Sequence, residues 1–445
     1  MRRRVRWAYV LTTSFSLALA VSSQLPAQVT PGADFNVEAT LDVDADNRWE
    51  DTVGTSGFDF ELAGSVTRNT GVSSLPGIGA AYDFVGGSTG NSDGALLSNA
   101  GTGTRRSFQN APGDWSNESV TIEIWFRPDT LTHAPANGQI LFEDGGGNGF
   151  GFFVNDNLLQ LREQSGGDIV SFDISELSGE FIQAVGTFQI NAVGNNEQIE
   201  LYVNGASVGT DANNNQNDWS GGDPAAVATR GGANTGGIGG GQSGTESFDG
   251  EISIFRLYRN EVLTPGEVID NFAAIAGEKD VHAHNGSVDT SGAVTAPFAG
   301  TDLWKESVNW RVNSTPGTQG DPPNDLRPSI VDRVNIALND TETMDVPARI
   351  STGDNFEVSS VRIGGNFGLG TGGDGILNVE QGGALTVSGN GLGNGNIDLG
   401  HNPRDGKLNI STGGQVNITN GGQLRIGVSG TGGNDLSEVT LSDAG

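Results

Sequence analysis

The chain has 445 residues, 54 of them acidic against 23 basic and none cysteine, for a formal net charge of −31. That balance repels nucleic acid and anionic membrane surfaces, and the lack of cysteine rules out disulfides and a lipid-modified N-terminal cysteine. The length and a 35% hydrophobic content allow two domains with real cores, and 70 glycines fit tight turns between many short strands.

In chain order, Arg2, Arg3, Arg4 and Arg6 precede an apolar run over residues 7–21, with LPA (25–27) as a small-residue cleavage site. Residues 1–27 are expected to be a signal peptide, so the mature chain is expected to be secreted or held at the cell surface. Its loss removes four arginines and no acid, taking the charge from −31 to −35. The run is too short, and too interrupted by Thr12, Thr13, Ser14 and Ser16, for a membrane anchor. Asp42, Asp44 and Asp46 imitate the start of an EF-hand loop. However, Asn47 stands where glycine is needed and Val53 where the closing glutamate is needed. Leu41 and Val43 alternate as on a strand, which predicts a solvated strand edge instead.

Val120, Ile122, Ile124 and Phe126 alternate with Thr121, Glu123 and Trp125, predicting a strand with one buried face. Apolar runs follow at 140–142, 150–154, 158–161 and 181–190, each bounded by Gly, Asn or Asp. Ile199, Leu201 and Val203 then alternate with Glu200 and Tyr202 and stop at Asn204 and Gly205, a strong hairpin signal. Ile252, Ile254, Phe255 and Leu257 make a last strand before Thr264, Pro265 and Glu267 open a helix with a capping box. Val268, Ile269, Phe272 and Ile275 fall at helical spacing, and Gly277 ends the helix. A helix this short is marginal alone, so it must dock. Many short strands and one trailing helix predict a two-sheet jelly roll.

The segments SVTIEIWFRPD, QILFEDGGGNGFGFFV, IELYVNG and FDGEISIFRLYRNEVLTPGEV, in that order, resemble successive strands of a laminin G-like, concanavalin A-like jelly-roll domain over residues 34–277. The resemblance implies carbohydrate or protein binding in an extracellular module, often with calcium, and glycan cleavage in some branches. Calcium-binding members carry an acidic side chain in the loop that matches Asp144, where Asn148 adds another hard oxygen. Glu246 and Asp249, in the loop before the last strand, would complete a Ca2+ site. The same residues read equally well as Asx and glycine turns.

After a small, polar stretch expected as a linker (278–297), the sequence repeats. ILNVEQGG (376–383) aligns with KLNISTGG (407–414) and EVTLSDAG (438–445), both at a step of 31 residues. Leu385 and Val387 recur as Val416 and Ile418, and VRIG (361–364) recurs at 397–400 and 424–427. One apolar face per short strand, closed by glycine corners, predicts a parallel β-solenoid. Trp304, Asn309, Trp310, DPPN (321–324) and DRVNI (332–336) lead into it and resemble the start of autotransporter-associated β-strand repeats of bacterial surface proteins, over residues 298–445. No terminal cap follows the last repeat, so the sequence is expected to be a piece of a longer protein. The fold class predicted is therefore all-β, a concanavalin A-like jelly-roll sandwich followed by a parallel β-solenoid.

Chemistry is sparse. The lone Glu-x-Asp, at Glu278 to Asp280, falls in the linker without the further glutamate of the jelly-roll glucanases. His133, His282, His284 and His401 all fall outside the predicted strands, and His282 with His284 lacks a third metal ligand. Of the aromatics that could stack on a sugar, Trp115, Tyr202 and Trp219, the last has the best setting, a polar loop beside Asp218. These readings predict a non-enzymatic binding protein whose partner is a glycan or an extracellular matrix or surface protein. The alternatives are a structural spacer in an envelope or adhesin array, and a polysaccharide-degrading enzyme with an unrecognised site.

Overall fold

The computed structural model describes residues 32–42, 46–54, 56–73, 75–86, 93–100, 102–108, 118–131, 138–144, 149–163, 168–193, 196–212, 224–229, 246–277, 280–283, 287–288, 294–295, 310–312, 329–336, 348–365, 375–391, 395–401, 405–428 and 437–442. The expected signal peptide lies outside them. Among the described residues no helix is long and apolar enough to cross a membrane.

The first domain opens with β1 (Phe35–Glu38), β2 (Arg48–Glu50), β3 (Phe58–Ala63), β4 (Thr67–Thr70), β5 (Ala80–Phe84) and β6 (Gly94–Asn99). The long β7 (Val120–Pro128) follows, then β8 (Gln139–Asp144), β9 (Phe150–Asn155), β10 (Leu158–Glu163) and β11 (Ile169–Asp173). Next come β12 (Ile182–Val193), β13 (Asn196–Val203) and β14 (Ala206–Asp211). The short β15 (Ala226–Val227) and β16 (Glu246–Ser247) precede β17 (Gly250–Arg259), and helix α1 (Pro265–Ala276) closes the unit. One sheet runs β14-β13-β12-β7-β17-β5-β4, with β1 also on β17; the other runs β11-β10-β9-β8-β15-β6-β3-β2, with β16 on β8. Together they make the two-sheet sandwich that the alternating strands predict.

Between the sheets, Phe255 sits among Phe35, Phe60, Phe108 and Phe142, with ring centroids 4.9 to 6.3 Å away. The β13–β14 hairpin turns at Asn204 and Gly205, whose φ of 49° and 84° are what a type I′ turn requires. Asp42 is no solvated edge. It is buried and accepts from the Tyr82 hydroxyl at 2.7 Å, because the chain turns inward at residues 39–41.

β7 departs from the expected pattern, since both its faces are buried. Its outer face lies under α1, where Trp125 stacks on Phe272 at 5.6 Å with the rings nearly parallel. Glu123 is fully buried beside it. One carboxylate oxygen accepts from Trp125 Nε1 and Gln183 Nε2, at 2.8 and 2.7 Å. The other accepts from the Tyr258 hydroxyl at 3.0 Å and from Arg256 at 3.2 Å. Arg256, also fully buried, donates to Glu38 at 2.8 Å, while Asn271 of α1 donates to the Tyr258 oxygen at 3.0 Å. Burial alone would push the Arg256 guanidinium down, but Glu123 and Glu38 overturn that and hold it above its ordinary value. Burial, and then Glu123, raise the Tyr258 hydroxyl. A helix with a polar residue in its docking face is thereby held in one register.

The helix ends behave as read. Glu267 N–H donates to Thr264 Oγ1 at 3.4 Å, and Thr264 N–H donates to Glu267 Oε2 at 2.8 Å. Thr264→Ala should cost about 1 kcal/mol through loss of this cap. A melting curve identical to the parent would show that the cap does not hold the helix.

The second domain stacks its strands in three parallel sheets. The first carries Asp280–Ala283, Arg333–Ile336, Ser360–Gly365, Ile397–His401 and Leu424–Val428, with Trp310–Val312 antiparallel at its edge. The second holds Ala348–Ile350, Gly375–Val379, Gly406–Ile410 and Glu438–Leu441; the third holds Asn355–Val358, Ala384–Val387 and Gln415–Ile418. Register follows the repeat: Leu377 pairs with Leu408, Leu408 with Val439, Leu385 with Val416, and Val361 with Ile397. Inward residues Ile363, Leu377, Val387 and Leu399 form a continuous buried stack, so each rung completes the core of the next. Gly406 sits at a corner where a Cβ would lie 2.2 Å from the Ile363 carbonyl oxygen, which explains the glycine there.

The stretch expected as a linker contributes Asp280–Ala283 to the first solenoid sheet, with Val281 opposite Val334. So short a strand is held by backbone pairing to two neighbours, and four residues are too few for periodicity to announce it. The domains also share a core. Ile330 and Val331, ahead of the solenoid, bury against Trp125, Phe181, Phe272 and Ile275.

Candidate functional site

Strand register sorts the expected site residues between the two ends of the sandwich. Asp144 lies opposite Phe150, and Phe150 opposite Glu163, so these three form one row across the ends of β8, β9 and β10. Asp168 immediately precedes β11, its carbonyl oxygen accepting from Glu163 N–H at 3.0 Å, and Ile169 N–H donates to Asp211 at the end of β14 at 3.2 Å. Asp144 is buried and accepts from Phe108 N–H at 3.1 Å, which ties the 102–108 segment to this end. Asp218, Trp219, Asn148 and Trp115 lie outside the described residues. The described flanks of the Trp219 segment, Ala212 and Pro224, are at this same end, because Ala212 follows Asp211 and Ala226 pairs with Glu143.

Here one acidic group stands out among the described residues. Carboxylate oxygens of Glu163, Asp168 and Glu197 all lie within 4.8 Å of one another. Glu163 shares the inward parity of Leu159 and Leu161, Asp168 that of Val170, and Glu197 that of Ile199 and Leu201. All three therefore point between the sheets at the mouth of the sandwich. Three hard-oxygen donors this close suit a divalent cation such as calcium. Two close carboxylates are also what a retaining glycosidase requires. At 0%, 1% and 0% exposure, though, no sugar ring can pass between these. Sequence reading missed the trio; a charged residue at inward parity on a strand end was the available signal.

The remaining expected calcium donors are elsewhere. Glu246 pairs with Gln139, the first residue of β8, roughly 16 Å along the strand from Asp144. Asp249 precedes β17 at the far end of β7, where its carboxylate accepts from Gly86 N–H at 3.0 Å. The set Asp144, Glu246 and Asp249 does not converge, because β8 runs the length of the sandwich between its two ends. At that far end Asp83, Asp93, Asp129, Asp249 and Glu251 gather, with Arg127 paired to Glu251. Burial, and then Glu251, raise the Asp83 carboxyl; burial, and then Asp249, raise that of Asp129.

Tyr202, weighed as a sugar-stacking residue, is 1% exposed and belongs to the packing beneath α1 with Val185, Tyr258 and Val268. His282 lies within the Asp280–Ala283 strand and His401 at the end of Ile397–His401, contrary to their expected place outside strands, while His133 and His284 are outside the described residues.

A family model described as the concanavalin A-like lectin/glucanases superfamily, of laminin G type, matches residues 100–269. No curated protein matches the sequence. Among solved structures, a botulinum neurotoxin serotype D/C binding domain is 15% identical, covering 57% of this chain and 56% of its own, with a TM-score of 0.38. The binding domain of botulinum neurotoxin DC in complex with rat synaptotagmin II is 14% identical over 58% of this chain and 55% of its own, at 0.38. The same toxin's binding domain in complex with SialylT is 13% identical over 58% and 56%, at 0.39. This chain thus spans about half the length of those structures, a likeness that speaks to neither ligand nor mechanism. With the sandwich, its closing helix and the family match in agreement, the first domain is a laminin G-like, concanavalin A-like jelly roll, followed by a parallel β-solenoid.

Proposed function

We propose that this chain is a secreted or surface-held bacterial binding protein, in which the laminin G-like head recognises a glycan or matrix partner, assisted by calcium, on a solenoid stalk. The observation that supports it is the end of the sandwich where Glu163, Asp168 and Glu197 converge, beside the flanks of the segment that carries Asp218 and Trp219. A cation there would be held by this trio in place of the expected set of Asp144, Asn148, Glu246 and Asp249. It would brace the loops on which a partner rests.

A glycan array probed with and without chelator tests the reading, with Trp219→Ala and Glu197→Gln alongside. Saturating calcium, at about a hundred times its Kd, should stabilise the head by roughly 2.7 kcal/mol, and Glu197→Gln should abolish that gain. Magnesium at equal ionic strength controls for screening of the acidic surface. Equal shifts with both ions would remove calcium from the proposal. Release of reducing sugar from any polysaccharide would turn the reading toward catalysis.

A further inference from the structure

A groove of about 660 Å³ lies where the sandwich meets the solenoid, beside the β13–β14 turn and away from the end that holds Glu163, Asp168 and Glu197. Its floor includes Phe272 and Ile330 of the shared core, so both walls are fixed to one another. One wall is the edge of the sandwich, with Phe172 and Asp173 of β11, Glu180, and Ser207 and Val208 of β14. The other is the solenoid strand Asn355–Val358, which lines the groove through Asn355, Phe356 and Glu357.

That strand is an edge. The first solenoid sheet runs three strands further toward the head, through Arg333–Ile336, Asp280–Ala283 and Trp310–Val312. The third sheet starts at Asn355–Val358, which among the described residues pairs only with Ala384–Val387. The groove therefore runs along backbone whose N–H and C=O groups on that side are placed to accept one more strand. Alternation along the edge gives it two faces. Phe356 leans into the solenoid core with Val358, and Glu357 points the other way.

Charge selects the occupant. Asp173, Glu180 and Glu357 line the groove, and no lysine or arginine does among the described residues. Arg127 stands over the Phe181 ring at 4.7 Å but is paired with Glu251. Burial raises the Glu357 carboxyl, partly offset by its hydrogen bond with Ser388, so a cation brought alongside would relieve a real cost. An anionic ligand is disfavoured, and an extended peptide matches the repeat of the strand edge.

We propose that this groove binds an extended basic peptide segment, which adds as a strand beside Asn355–Val358. Its alternate side chains set cations against Glu357, Asp173 and Glu180 and apolar groups against Phe356, Phe172 and Val208.

The test uses the full chain and a fluorescein-labelled peptide of alternating lysine and valine, read by anisotropy. Binding should saturate and weaken with salt, and Glu357→Lys should weaken it by about tenfold or more. Glu357→Gln, milder for folding, should weaken it less but measurably, with the parent melting curve retained. Glu61→Lys, the same charge change on an exposed site of β3 at the far side of the sandwich, should have no effect. Methylating alternate backbone nitrogens of the peptide should abolish binding. Equal weakening by Glu61→Lys and Glu357→Lys would reduce the effect to the net charge of −31 and overturn the proposal. Undiminished binding of the methylated peptide, or a neutral maltooligosaccharide bound in its place, would overturn it as well.

Discussion

Arg256→Met should destabilise the first domain by about 3–5 kcal/mol, the largest loss expected from any single exchange of a charged residue here. Methionine keeps most of the side-chain volume, so a cavity contributes little. The loss comes from charge. Glu123 is fully buried and Glu38 is 5% exposed, and Arg256 is the cation bonded to both. Without it the two carboxylates lose the cation that both are bonded to in a poor solvent for charge. The network also spans β1, β7, β12, β17 and α1, so its failure loosens the helix as well as the sheet. Urea unfolding followed by the fluorescence of buried Trp49 and Trp125 measures it. A midpoint moved by less than about 1 kcal/mol of stability would mean that water enters and solvates the pair. Replacing Glu123, Glu38 and Arg256 together by apolar residues of like volume should recover much of the loss, since a matched apolar cluster often equals a buried ion pair.

Phe255→Ala should cost a similar about 3–5 kcal/mol, by a different route. Phe255 meets rings from β1, β3, β8 and the 102–108 segment, so both sheets touch it. Truncation leaves a void bounded by stiff aromatic rings, which cannot collapse to fill it. Leu441→Ala is the control: at 74% exposure it should shift the thermal transition by no more than about 0.5 kcal/mol in either direction. A small effect at Phe255 would mean that the sheets close on the void.

Local signals carried much of the fold. Alternation marked β7 and β13 as strands, and the Asn204–Gly205 turn, the Thr264–Glu267 box and the 31-residue step each state a short-range preference with which the structure agrees; only the burial of the second face of β7 departs from its pattern. The rest was set by neighbours distant in sequence. That Glu123 and Trp125 face a helix more than a hundred residues later is invisible in the alternation of β7, which marks two faces without saying what covers the second. Asp280–Ala283 is too short for its alternation to mark it as a strand, and it pairs with strands on either side. The candidate site was the least legible part. A carboxylate in a loop reads the same whether its end of the sandwich holds partners or not, and only the register of β8 with β16 separates Glu246 from Asp144. Parity held more information than loop position, as Glu163 and Glu197 show.

The burial of Ile330 and Val331 against Phe272 and Phe181 gives the folding of this chain a direction. A stack of repeats is slow to start, because its first rung buries little by itself, whereas each later rung finds a surface ready. The sandwich is complete by Gly277, so a chain made from its N-terminus presents that surface before any repeat has emerged. The head then serves as a template, and rungs are laid down from it one after another. Detached from it, the repeats would face a nucleation delay that refolding kinetics can time.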